Sequence, residues 1–308
     1  MKTNKTISEV AALWAKEKQP YVKPSTLAAY MLTVEKHILP VFGGRHRLVE
    51  SEVQAFALQK IEGGLSRKTV KDMLVVLKMV CRFGIRKGYL PRSDWSVQLP
   101  AERKQKKVAV FSIDHQRSIM QYVAGHPTPR NIGIFLCLST GLRIGEICAL
   151  KWGDIDMKEE TVRIRRTIAR IYVTDGRCRH TELMIGPPKT KHSVRDIPMG
   201  RDLLRLVRPM KKCMGDECYV LTNGLRPLEP RTYCNYYKRL LRSIGVPPLR
   251  FHGLRHSFAT RCIESQCDYK TVSDILGHAS ISTTLNLYVH PNMEQKKKCI
   301  DKMFRGLK

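Results

Sequence analysis

The chain has 308 residues, long enough for two ordinary domains, each with its own core. Lys and Arg number 55 against 27 Asp and Glu, a formal charge of +28, which excludes a charge-balanced surface and favours a polyanionic partner. The 43% hydrophobic fraction excludes wholesale disorder.

No apolar run approaches the roughly 20 residues that span a bilayer, and no charged-then-apolar signal opens the chain. The expectation is a cytoplasmic, nucleoid-associated protein without a membrane partner. Ten cysteines at irregular spacings read as reduced thiols rather than a disulfide framework. Cys213 and Cys218 lack the two-residue spacing of a zinc knuckle, so no metal is expected. The charge is spread along the whole chain: residues 1–100 hold 17 Lys/Arg against 8 Asp/Glu, and residues 101–308 hold 38 against 19.

Residues 1–91 read as a four-helix domain. Thr6 and Glu9 form a capping box ahead of Val10, Leu13 and Trp14. Ser25 or Thr26 is the expected cap of a second helix, whose Leu27, Tyr30, Met31, Val34 and Ile38 keep helical spacing. A third helix is expected over 51–61, ending at Gly63 and Gly64. A fourth starts near Ser66 and carries Val70, Met73, Leu74, Leu77 and Val80 on one face.

Periodicity then lapses. Residues 92–110 read as a basic interdomain linker, with Arg103, Lys104, Lys106 and Lys107 available to an anionic polymer. Residues 111–290 read as a mixed α/β domain. Helices are expected near Ser112 and Arg130, a strand around Val162 and Ile164, and further helices from about Asp202. Met184–Ile185 and Val194–Ile197 bracket a turn with Pro187, Pro188 and Ser193, and are expected to pair as a hairpin. Residues 291–308 form a C-terminal tail.

Four stretches carry chemistry. In Thr140-Gly141-Leu142-Arg143-Ile144-Gly145-Glu146, an arginine in the first turn of a helix faces the positive dipole end, an arrangement that an anion relieves. Glu146 can hold its guanidinium, although an ordinary intrahelical ion pair has the same pattern. In Pro187-Pro188-Lys189-Thr190-Lys191, a lysine on a turn offers a mobile charge and a transferable proton; Lys191, two residues on, is the competing candidate. His252 and His256 have the spacing of a zinc peptidase helix, but Gly253 stands where that motif needs glutamate. His252 and Arg255 instead present an imidazole and a fork of donors to a phosphate. In the last stretch, Leu276-Gly277-His278 leads to Tyr288. Cationic neighbours favour its phenolate, a competent nucleophile toward a phosphodiester.

Taken together and in this order, the four stretches resemble the tyrosine recombinases, the phage-integrase family of site-specific DNA strand-exchange enzymes. The resemblance spans nearly the whole chain. It implies a mainly α fold with a small antiparallel β-sheet: a helical core-binding domain, then a mixed α/β catalytic domain. By position it implies catalytic roles for Arg143, Lys189, His252, Arg255, His278 and the nucleophile Tyr288, with Glu146 in support. His278 and Tyr288 lie ten residues apart, where many members have nine. The implied reaction is transesterification through a 3′-phosphotyrosine, without metal, ATP or other cofactor. The implied partners are duplex DNA at a recombination site, three further copies of the chain, and an accessory DNA-bending or directionality factor. A type IB topoisomerase-like enzyme and a catalytically inactive DNA-binding regulator are the alternative readings.

Overall fold

The computed structural model describes residues 4–101, 108–174, 179–188, 190–289 and 293–305. It divides into two compact units, Met1–Lys106 with Ile171–Glu182, and Lys107–Arg170 with Leu183–Lys308.

In the first unit, helix α1 (Ile7–Lys18) starts at Thr6 with the expected capping box. Thr6 N–H donates to Glu9 Oε2 at 2.8 Å, and Glu9 N–H donates to Thr6 Oγ1 at 3.3 Å. The second expected helix is interrupted. Helix α2 (Pro24–Thr33) begins with Pro24 behind Lys23, so neither Ser25 nor Thr26 caps it. Proline suits a first turn because its missing N–H is one that has no intrahelical partner there. A π-helical turn over Val34–Ile38 then leads into the short α3 (Leu39–Phe42), where Pro40 removes a backbone donor. Helix α4 (Glu50–Glu62) ends at Gly63. Helix α5 (Arg67–Arg86) is capped by Ser66, whose Oγ accepts from Thr69 N–H. Val70, Met73, Leu77 and Val80 of α5 are buried with Val10 and Trp14 of α1, Val34, Ile38, Phe42 and Phe56. Trp95 belongs to the same core, and Val97 and Leu99 pack on it.

The second unit is organised around α7 (Pro129–Thr140). Ile132, Ile134, Phe135, Leu136 and Leu138 are all buried, because the helix touches α6 (Ile113–Gly125) and, further along the chain, α9 (Arg201–Cys213) and α11 (His252–Glu264). Ser112 caps α6 at its expected start, and Thr128 caps α7 two residues before Arg130. After the short α8 (Ile144–Cys148), strands β1 (Ile155–Asp156), β2 (Thr161–Ile164) and β5 (Arg195–Pro198) form an antiparallel sheet in the order β1-β2-β5. Val162 stands opposite both Ile155 and Ile197. Strands β3 (Thr167–Thr174) and β4 (Arg179–Gly186) pair separately.

That topology corrects the expected hairpin. Met184 and Ile185 lie on β4, whose partner is β3, whereas Ile197 lies on β5, whose partner is β2. Burial sorts them: Ile197 is buried in the main core beside Val162, and Ile185 is exposed. An apolar alternation marks a strand but says nothing of its partner. Helix α10 (Pro230–Ser243) contributes the buried Tyr233 and Tyr237 to the main core. Helices α12 (Tyr269–Leu276) and α13 (Ile281–Tyr288) share a small cluster with α11, made of Ala259, Val272, Leu276 and Tyr288. Helix α14 (Met293–Arg305) follows, with Ile300, Met303 and Phe304 exposed. Among the described residues, no helix is long and apolar enough to cross a membrane.

Candidate active site

Two glycines with positive φ bring the site together. Gly141 (φ +67°) ends α7, and a Cβ there would meet Leu276 Cδ2 at 2.6 Å and Phe258 Cδ1 at 2.8 Å. Gly277 (φ +64°) ends α12, and its Cβ would meet His192 O at 3.0 Å. Only glycine adopts this backbone without strain and also allows so close an approach.

Their carbonyls anchor the two arginines. Arg255 Nη1 donates to Gly141 O at 2.9 Å, and Arg143 Nη2 donates to Gly277 O at 3.0 Å. Arg143 lies one residue before α8 rather than in its first turn, so its side chain is turned toward Gly277 and Glu146. The Glu146 carboxylate accepts from the Arg143 backbone N–H at 3.0 Å and from Arg143 Nη1 at 2.8 Å. Arg195 of β5 completes this carboxylate's shell with Nη1 at 3.1 Å and Nη2 at 3.0 Å. Its Nε donates to Ile275 O, tying the ion pair to α12.

Glu146 is 3% exposed and Arg255 2%. Burial alone would raise the Glu146 carboxyl, but the Arg195 hydrogen bonds and the charges of Arg195 and Arg143 bring it below its ordinary value. Arg255 is lowered to about 9, by burial first and then by Arg143, and stays a cation at neutral pH. The result is an anchored pair of guanidiniums whose positive charge exceeds what Glu146 compensates. Such a centre favours an arriving anion.

The histidines answer to the same field. His278, hydrogen-bonded through Nδ1 to Thr284 Oγ1 at 2.8 Å, is pushed down to about 4 by burial and by Arg255, Arg143 and Arg195. His252 opens α11 with an exposed face. It is lowered likewise, by partial desolvation and then by His256, Arg255 and Arg143. Both are neutral at pH 7. Beside Arg143 and His278 a cavity of about 360 Å³ opens, lined also by Pro188, Thr190, Ser193 and Thr283.

Tyr288, the last residue of α13, is 8% exposed, and its hydroxyl lies 2.7 Å from His256 Nδ1. Burial raises its pKa, while Arg255 and Arg143 pull the other way. The fold therefore gathers Arg143, Glu146, His252, Arg255, His278 and Tyr288 within one unit. Lys189 lies outside the described residues, as do Arg103, Lys104, Lys106 and Lys107. Lys191 opens a single 3-10 turn, Lys191–Ser193.

Two participants were not singled out by sequence reasoning. Arg195 is one of 55 basic residues, and no local signal marks it. The sequence presents His256 only as a zinc partner for His252. Its position one helical turn further on, on the same face, was the available signal.

Comparison with known proteins bears on the family. The profile of the Phage integrase family matches residues 110–295, and that of the Phage integrase N-terminal SAM-like domain matches residues 6–46. A tyrosine recombinase XerC-like protein of Caldanaerobacter subterraneus subsp. tengcongensis is 28% identical, over 91% of this chain and 77% of that protein. The ICEBs1 integrase of Bacillus subtilis is 24% identical over 91% and 78%. Among solved structures, the Tn1549 transposon integrase in complex with a circular intermediate DNA superposes with a TM-score of 0.76 at 22% identity, covering 96% of this chain and 99% of that one. A lambda integrase tetramer bound to a Holliday junction gives 0.66 at 20% identity, covering 94% and 80%.

Proposed function

The chain belongs to the phage integrase family and is a tyrosine recombinase acting on DNA, and from that premise we propose that Tyr288 cuts one DNA strand by attacking a phosphodiester held between Arg143 and Arg255. The Tyr288 oxygen bonds to phosphorus, the bond to the 5′ oxygen breaks, and a 3′-phosphotyrosine keeps the phosphodiester energy for rejoining. The two guanidiniums neutralise the charge that builds on the non-bridging oxygens. Glu146 holds Arg143 in place, and Arg195 holds Glu146. His252 and His278, being neutral, donate hydrogen bonds to phosphate oxygens rather than adding charge. Lys189 supplies the proton that the departing 5′ oxygen needs.

What supports this reading is that Arg143 and Arg255 are anchored on the Gly277 and Gly141 carbonyls, close enough to the buried Tyr288 for their charge to act on its phenol. Site-specific strand exchange needs four active sites, and the proposed assembly is a tetramer on duplex DNA. The apolar Ile300, Met303 and Phe304 of α14 suit docking on a neighbouring copy. Both halves of the chain are cationic and are expected to contribute salt-dependent phosphate contacts, with Arg103, Lys104, Lys106, Lys107 and Lys191 among the candidates. An accessory DNA-bending or directionality factor and a nucleoid location in the cytoplasm complete the proposal.

The test is covalent capture. The protein is incubated in EDTA with nicked fragments from its own genomic locus, and an SDS-resistant protein–DNA adduct is sought, with Tyr288→Phe in parallel. An adduct on one fragment that vanishes in Tyr288→Phe is the expected result. An adduct on any DNA would indicate a topoisomerase-like enzyme, and binding without an adduct an inactive regulator.

A further inference from the structure

Resting on the assignment of Tyr288 as nucleophile, we propose that His256 is a further catalytic residue, whose Nδ1 takes the phenol proton of Tyr288 as its oxygen attacks phosphorus. The two atoms are 2.7 Å apart, and among the described residues no other side chain is hydrogen-bonded to the Tyr288 hydroxyl. His252, one turn earlier on the helix, packs edge-on against the His256 ring, with centroids 4.5 Å apart. His256 therefore touches both His252 and the tyrosine. With Nδ1 accepting, the ring's own hydrogen sits on Nε2.

The step balances without a cofactor. The phenol O–H bond breaks and its proton passes to His256 Nδ1, while the oxygen lone pair forms the bond to phosphorus. The bond from phosphorus to the 5′ oxygen breaks, and that oxygen is protonated by a separate acid. In rejoining, the His256 imidazolium returns its proton to the departing phenolate, as microscopic reversibility requires.

The surroundings also explain why the free enzyme keeps its tyrosine protonated. The groups facing His256 are His252 and Arg255 on its own helix and Tyr288 from α13. Burial and Arg255 make the ring a weak base, and burial makes the phenol a weak acid. A bound phosphodiester lays negative charge on Arg255 and Arg143. That offsets the arginine field and raises the basicity of the imidazole when a substrate is present. The base is then substrate-activated.

The deciding experiment measures single-turnover adduct formation on the nicked fragment for wild type, His256→Ala, His256→Asn and Tyr288→Phe, with DNA binding measured for each. Asparagine can place an acceptor close to the Nδ1 position but cannot hold a proton. Both His256 variants are expected to react about 100-fold more slowly, the lower range for loss of a general base. Raising the pH should recover part of the His256→Asn rate, since the phenol then ionises unaided. A 5′-bridging phosphorothiolate, whose thiolate leaves without a proton, should not rescue either variant, because the defect is on the nucleophile side. Should His256→Ala fail to bind DNA, His256→Asn carries the comparison. Wild-type rate in His256→Asn would reduce the residue to positioning and overturn the proposal. So would a faster variant, which would make the contact a resting lock, or rescue by the thiolate. An adduct that persists in Tyr288→Phe would remove the nucleophile assignment and this proposal together. One that needs Tyr288 and ignores His256 would remove this proposal alone.

Discussion

The core of the N-terminal unit is apolar, whereas the second unit buries ions. Among the described residues, the buried polar and charged side chains all fall between Gln116 and Thr284, and Arg255 and Glu146 are the most enclosed of the charged ones. Burying charge is expensive, and an ion pair rarely repays more than the packed hydrophobic residues it displaces. The first unit's Ile7, Val10, Val53, Val70 and Leu77 follow the ordinary logic of stability. On the proposed reading, the second carries Arg143, Glu146, Arg195 and Arg255 because a site for a phosphodiester needs fixed positive charge, and a fixed charge needs partners. The difference teaches where the molecule invests in fold and where in chemistry.

That contrast can be broken most severely at Glu146. Replacing it with alanine leaves Arg195, 7% exposed at its side chain, without its carboxylate. The expected loss is about 3–5 kcal/mol, the range for removing one partner of a buried ion pair. Urea denaturation measures it, and adduct formation should fall with it because Arg143 loses its support. A variant as stable as wild type would show the network to be dispensable to the fold. Leu77→Ala makes the opposite cut, in the apolar core of the first unit. Its cost should be ~2–5 kcal/mol, seen as a lower melting temperature, while the chemistry on bound nicked DNA, measured below that transition, stays near the wild-type rate.

Acid sharpens the same comparison. Glu146 titrates below its ordinary value of 4.5 in the folded protein, so its contribution is complete above that value. It is lost as pH falls through the lower, folded value, where the carboxylate takes up a proton and the arginines lose their counter-ion. His252 and His278 act on the alkaline side of this window. Their folded values near 4 lie below the ordinary 6.5, so the unfolded chain binds more protons between those limits and stability rises with pH there. Denaturation midpoints from pH 3 to pH 7 should show both, and Glu146→Gln should flatten the acidic limb alone. The smallest effect is expected at Thr6→Ala, where the lost cap of α1 costs about 1 kcal/mol and adduct formation should not change.

Legibility followed how local each feature is. The capping box at Thr6 and Glu9, the Ser66 cap and the stripe of α5 were readable because each is settled within a few residues along one helix. The break between α2 and α3 was not, since the apolar spacing from Leu27 to Ile38 is nearly the same whether the helix is continuous or contains a π turn. The pairing of β4 with β3 was also hidden, because partner choice depends on which face reaches the core. In the site, Arg143, Glu146, His252, Arg255, His278 and Tyr288 were found through spacing and family order. Arg195 carries no such mark. Its importance comes from a carboxylate 49 residues earlier in the chain.

By itself the sequence determined the cationic character, the helical first half, the family and six of the side chains gathered at the site. These rest on composition, on periodicity and on residue types whose chemistry is intrinsic. Tertiary structure decided the rest: that Gly141 and Gly277 hand their carbonyls to the two arginines, that Arg195 anchors Glu146, and that His256 rather than His252 meets the Tyr288 hydroxyl. His252 and His256 lie one turn apart on the same helix face. Which of them reaches the tyrosine depends on how α13 packs against α11, and packing is a property of the whole core.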